Sequence, residues 1–103
     1  MGKRIIWKPK PQRQVREIER YFREELGTAQ AFDNFLDALY KRLAMIADYP
    51  ESGRPTGYKT VRYWKVDKHR SIFYRIKPDR ITVLLIWDSR QHPDKNPYGK
   101  KKK

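Results

Sequence analysis

The apolar positions of this chain change period once, in the Gly/Pro-rich stretch that ends at Gly57. Ahead of it, Val15, Ile18, Phe22 and Leu26 recur at spacings of three and four with Arg and Glu between them, which predicts an amphipathic helix from about Pro11. Proline is tolerated there because the first-turn N–H groups of a helix have no intrahelical acceptor. Gly27 is placed for the left-handed residue that follows a helix C-terminus, and Thr28 for the cap of a second helix. That second helix carries the clearest stripe, Phe32, Phe35, Leu36, Leu39, Leu43 and Ile46. The very short turn between the two predicts an antiparallel helical hairpin. "KRIIW" (Lys3–Trp7) reads as a short strand halted by "KPKP", and "YPESGRPTG" (Tyr49–Gly57) as a loop.

Beyond the loop the period is two. "YKTVRYWKV" (Tyr58–Val66) alternates as a strand does, and "DKH" (Asp67–His69) is a tight connection. "RSIFYRI" (Arg70–Ile76) puts Ile72, Tyr74 and Ile76 on one face and Ser71, Phe73 and Arg75 on the other. Pro78 presets a β-turn in "KPDR". "ITVLLIW" (Ile81–Trp87) is apolar on both faces, the mark of a central strand covered on both sides. The order is β-α-α-β-β-β. The expected fold is α+β, a four-stranded antiparallel-type sheet with the helical hairpin packed on one face. The second face of the last strand needs a cover of its own: the C-terminal segment, a dimer partner or another protein.

Composition narrows this picture. The 103 residues suit one domain over 1–98, followed by a basic tail over 99–103 that is expected to be disordered. With no cysteine, disulfides and thiol chemistry are excluded, and a reducing cytoplasm fits. The opening residues lack the apolar stretch of a signal peptide, and no run approaches the ~20 apolar residues of a membrane span. Charge is the strongest global signal, +13 in all. Residues 1–50 hold ten basic and seven acidic residues, whereas residues 51–103 hold fifteen and five. So uneven a surplus attracts polyanions, and taken alone it fits a basic RNA- or DNA-binding module.

The candidate chemistry is basic and aromatic. His69 and His92 are the only histidines and have no second ligand at a useful spacing, so no metal site is expected; no phosphate-binding Gly-rich loop is present, and no cofactor is expected. Lys59, Arg62, Lys65 and Arg75 in the sheet half are candidates for RNA binding, since cations neutralise phosphates while flat rings stack on unpaired bases. Metal-free RNA cleavage needs a base for the 2′-hydroxyl, cations for the phosphorane charge and an acid for the leaving oxygen. Arg70 and Arg90 offer the charge, and His92 or Tyr98 the proton transfer. Arg90 and His92 lie just past a buried strand, and Pro93 and Pro97 stiffen the path to Tyr98.

The element order, "PESGRP" after a helical hairpin, Val61–Arg62, "KHRSIFYRI" (Lys68–Ile76) and the closing "ITVLLIWDSRQHPDKNPY" together resemble the RelE/ParE superfamily of toxins from type II toxin–antitoxin systems. The resemblance runs from about Lys3 to Tyr98. It implies a bacterial growth inhibitor held inactive by a cognate antitoxin in a hetero-oligomer. RelE-like members cut mRNA on the ribosome as metal-independent endoribonucleases, using basic strand residues with Arg, Tyr or His near the C-terminus. ParE-like members poison DNA gyrase by protein contact. The charged sheet half and Arg90, His92 and Tyr98 imply ribosome-dependent mRNA cleavage; the long hairpin and "PESGRP" imply the gyrase alternative. One position departs from the RNA-cleaving pattern, which has Arg three residues before the Tyr matched by Tyr74. Here Ser71 stands there and Arg70 one residue earlier, an offset that reverses the face of a strand.

Overall fold

The computed structural model describes residues 2–98, so the lysine tail lies outside the described residues. Strand β1 (Arg4–Trp7) leads into helices α1 (Pro9–Glu25) and α2 (Ala29–Asp48). A 3-10 turn (Pro50–Ser52) and strands β2 (Arg54–Pro55), β3 (Val61–Lys65), β4 (Arg70–Ile76) and β5 (Arg80–Asp88) follow, and a second 3-10 turn (Pro93–Lys95) lies in the C-terminal segment. Helix α1 starts two residues earlier than the periodicity predicts, with Pro9 and Pro11 both in its first turn. The hairpin forms as its caps dictate. Gly27 takes φ 62°, and the Thr28 hydroxyl accepts the Gln30 N–H at 3.1 Å.

The sheet differs from expectation in two respects. It has five strands in the order β1-β5-β4-β3-β2, and it is mixed. Arg54 and Pro55, expected to be loop, pair antiparallel with Tyr63 and Arg62 as a two-residue edge strand, where the missing N–H of proline can face solvent. Strand β1 pairs parallel with β5, Ile5 opposite Ile81 and Trp7 opposite Val83. A parallel pair requires a long crossover, and the helical hairpin with the β2–β4 meander supplies it.

The two-sided apolar strand has a specific cause. Phe73 pairs with Leu85 but Tyr74 pairs with Val83, so Leu84 is an extra residue and β5 carries a bulge. Parity switches there. Ile81, Val83 and Ile86 face the helices, while Leu84 and Leu85 face the other way. The main core joins Phe22, Phe35, Leu39, Leu43 and Ile46 to Ile72, Tyr74, Ile81 and Val83. A second cluster on the opposite, open face of the sheet unites Val61, Phe73, Leu84 and Leu85 under Tyr63, Trp87 and Tyr98. The second cover is thus drawn from the C-terminal segment. Each fully buried aliphatic side chain contributes roughly 1.5–3 kcal/mol of transfer free energy. No helix among the described residues is long and apolar enough to cross a membrane.

Candidate functional site

The start of β4 and the end of β5 lie side by side, Arg70 opposite Asp88, and a hollow opens on each face of the sheet there. On the helix side, Arg70 turns inward. Its guanidinium lies 5.2 Å from the Phe22 ring centroid and 5.6 Å from that of Phe35, and it donates to Asp67 at 3.2 Å. The other Asp67 oxygen accepts the His69 and Arg70 N–H groups at 2.9 and 2.8 Å, which shapes the β3–β4 turn. Only 8% of the Arg70 side chain is exposed. The one-residue offset therefore has its structural counterpart: β4 itself is unbulged, and Arg70 points to the helices rather than to the open face.

Arg90 lines the same hollow, a cavity of about 440 Å³ between α1 and β5. It grips Asp88 with two parallel bonds, Nε to Oδ1 at 2.9 Å and Nη2 to Oδ2 at 2.6 Å. That contact, helped by the Arg90 backbone N–H and opposed by partial burial, holds the Asp88 carboxyl down at about 2. Reciprocally, Asp88 pushes the Arg90 pKa further up, with a smaller contribution from Tyr21. Gln14 of α1 closes the wall; its Oε1 accepts the Ile86 N–H at 2.8 Å, where β5 runs on past the end of β1.

Tyr98 is on the other side of the sheet. Its ring stacks on Phe73 at 6.1 Å and meets Tyr58 edge-on at 5.5 Å, while Tyr63 stacks on Phe73 at 4.9 Å. Lys65, His69 and Ser71 share with Tyr98 a hollow of about 490 Å³. His92 belongs to neither hollow. It is exposed, and its Nδ1 accepts the Asp94 N–H at 3.1 Å, capping the second 3-10 turn.

The candidate RNA-binding residues are dispersed too. Lys65 faces the open-side hollow. Arg75 sits at the opposite end of that face, donating to the Thr60 hydroxyl at 3.2 Å. Lys59 is exposed in the turn before β3. Arg62 faces the helix side and donates to the Gly53 carbonyl at 2.7 Å. Of the four candidate catalytic residues, Arg70 and Arg90 come together, Tyr98 is divided from them by the sheet, and His92 stands apart. Tyr98 thus shares no hollow with Arg70 or Arg90.

Arg62 belongs instead to an anchor for "PESGRP". The buried Tyr74 hydroxyl donates to the Pro50 carbonyl at 2.6 Å and accepts the Gly53 N–H at 3.2 Å. Trp64 Nε1 donates to the Ser52 hydroxyl at 3.0 Å, and Arg42 of α2 covers the indole at 4.5 Å. Alternation placed Tyr74 on one face with Ile72 and Ile76, but nothing in the sequence connected it to a loop 24 residues away. Asp88 was also missed as the partner of Arg90, although its position two residues upstream is a signal, since a carboxylate at a strand end commonly turns back on the following residues. No local signal marks Gln14.

The sequence matches the family model of the ParE toxin of the type II toxin–antitoxin system parDE over residues 5–93. Comparison with curated protein sequences gives no match. Among solved structures, the fold is similar to a chain of the chromosomal ParDE toxin–antitoxin system from P. aeruginosa, with a TM-score of 0.70 at 17% identity, covering 84% of this chain and 96% of that one. The family match spans most of the chain, and the fold agrees with it: the protein belongs to the ParE toxin family of type II toxin–antitoxin systems.

Proposed function

We propose that this toxin inhibits growth by binding and poisoning DNA gyrase, acting by protein contact with no catalytic residues of its own, and that a cognate antitoxin holds it inactive. The observation that carries this reading is the division of Arg90 from Tyr98 by the sheet, joined to the engagement of Arg70 with Asp67 and three aromatic rings. The ParE family match supports it. Ribosome-dependent mRNA cleavage keeps one observation in its favour: Tyr98, Lys65 and His69 line a common hollow.

The test is induction of the toxin in a bacterial host with an SOS reporter and RNA mapping in the same culture, paired with purified toxin, gyrase and supercoiled plasmid. SOS induction, intact mRNA and gyrase-dependent linear DNA support the gyrase reading. Cuts in translated mRNA that vanish when translation is blocked, with no SOS response, would replace it with cleavage.

A further inference from the structure

The far end of the open face holds a second cleft, about 380 Å³, that no proposed role above uses. Lys8, Arg75, Lys77 and Arg80 line it around Thr82, with Ile6, Trp7 and Pro9 completing its wall. Strand register explains the convergence. Ile6, Thr82 and Arg75 form one row across β1, β5 and β4, and Arg4 and Arg80 form the row beside it. Neighbouring strands lie about 4.8 Å apart and same-face residues along a strand about 6.7 Å, so these cations are near neighbours.

One carboxylate attends them. Asp79 pairs with Arg80 at 2.8 Å and with Arg4 at 3.4 Å. Among the described residues no ion pair engages Lys8, Arg75 or Lys77, and the only side-chain partner of the Arg75 guanidinium is the neutral Thr60 hydroxyl. Like charges gathered this way repel one another and contribute nothing to the core, which lies elsewhere.

We infer that this cleft binds the phosphate backbone of duplex DNA. The inference deepens the gyrase reading and rests on it for its biological setting: the toxin would touch the DNA that gyrase holds as well as the enzyme. Duplex DNA fits better than an acidic peptide. It presents about one charge per 1.7 Å of axis, so cations spread over three strands and a turn all find partners. An extended peptide presents same-face carboxylates only every ~6.7 Å. The cleft offers cations rather than the bidentate amide groups that read base edges, so binding is insensitive to sequence.

The experiment is fluorescence anisotropy of a labelled duplex titrated with the full chain, free of gyrase, across a range of salt concentrations. Four phosphates neutralised predict a slope of log K against log salt of about −3.6. Lys8→Ala with Lys77→Ala should reduce that slope by about 2 and weaken binding roughly tenfold or more at moderate salt, and Arg75→Gln should reduce it by about 1. Lys41→Ala, on exposed α2 surface, is the control and should match wild type. Circular dichroism melts confirm that each variant folds. An unchanged slope in the folded double variant, an equal loss in Lys41→Ala, or equally tight binding of polyglutamate overturns the inference. The two proposals fail separately: a toxin that poisons gyrase while its double variant keeps the full DNA slope refutes only the cleft, whereas the expected slopes without gyrase poisoning uphold the cleft and refute the gyrase reading.

Discussion

Replacing Tyr74 by Phe removes one oxygen atom from the centre of the molecule and isolates the anchor of the "PESGRP" loop. The tyrosine is fully buried, and its hydroxyl makes two hydrogen bonds, to the Pro50 carbonyl and from the Gly53 N–H. The Phe ring refills the apolar space, so no cavity term arises. What remains is the loss of two bonds worth about 1 kcal/mol each, and a Gly53 N–H left buried without that acceptor, which raises the total to about 2–3 kcal/mol. With an m-value of roughly 1.5 kcal/mol per molar urea, the unfolding midpoint should fall by about 1.5–2 M, and Tm by about 10–20 °C. A second readout is alkaline. Burial raises the Tyr74 pKa above its usual 10.0, outweighing the Gly53 hydrogen bond and the Arg62 charge. A raised pKa means a proton bound more tightly in the folded state. Its stabilisation is complete below about pH 10 and disappears as pH rises through the folded value, and Tyr74→Phe should abolish that loss. A destabilisation below about 0.5 kcal/mol, with the Gly53 amide as protected from hydrogen exchange as in wild type, would refute the claim that this hydroxyl holds the loop.

Other expectations rest on separate contacts. Gly53→Ala puts a methyl against the Tyr74 hydroxyl and within 2.9 Å of the Tyr63 carbonyl, so it should cost about 1–3 kcal/mol in urea unfolding despite ordinary backbone angles at Gly53. Asp88→Asn should flatten the acid limb of the stability curve: the depressed carboxyl stabilises the fold above about pH 4 and loses that effect as pH falls toward about 2. Because Arg90 is half exposed, screening reduces the contribution to about 1 kcal/mol or less, readable as a difference between urea midpoints at pH 6 and pH 2.5. Tyr98→Ala uncovers Phe73 and removes two ring contacts; a loss of about 1–2 kcal/mol with a weakened near-ultraviolet dichroism signal is expected. Thr28→Ala removes the cap of α2 and should cost about 1 kcal/mol by thermal melting.

The helical hairpin was legible in the sequence because its information is local. Spacings of three and four, a left-handed Gly27 and a capping Thr28 suffice to place it. Alternation likewise put Tyr74 on one face with Ile72 and Ile76, and the one-residue offset of Arg70 signalled a reversed face. The sheet was less legible. Two residues, Arg54 and Pro55, have no period to read, and whether β1 runs with or against β5 depends on the crossover rather than on the strand's own residues. The bulge at Leu84 was hidden in an unbroken apolar run, where neither parity is marked by a polar residue. The site suffered most. Residue types predicted one constellation of Arg, His and Tyr, but which face each occupies was settled by that bulge, by the Asp88–Arg90 pair and by the path of the C-terminal segment.

The single additional residue in β5 therefore acts as a phase shifter between the two ends of the strand. Upstream of Leu84 the helix-facing residues are odd-numbered, and downstream they are even-numbered. With Leu84 retained but the bulge absent, strict alternation from Val83 would carry Asp88, with the Arg90 attached to it, across to the side of Tyr98 and Lys65; excising Leu84 would instead remove the bulge and leave Asp88 facing the helices. Two toxin layouts, one with its terminal arginine against the helical hairpin and one with it over the open sheet, are separated by whether the strand bulges at this one residue. A bulge in an apolar strand can thus absorb an added residue without re-aiming the polar groups beyond it.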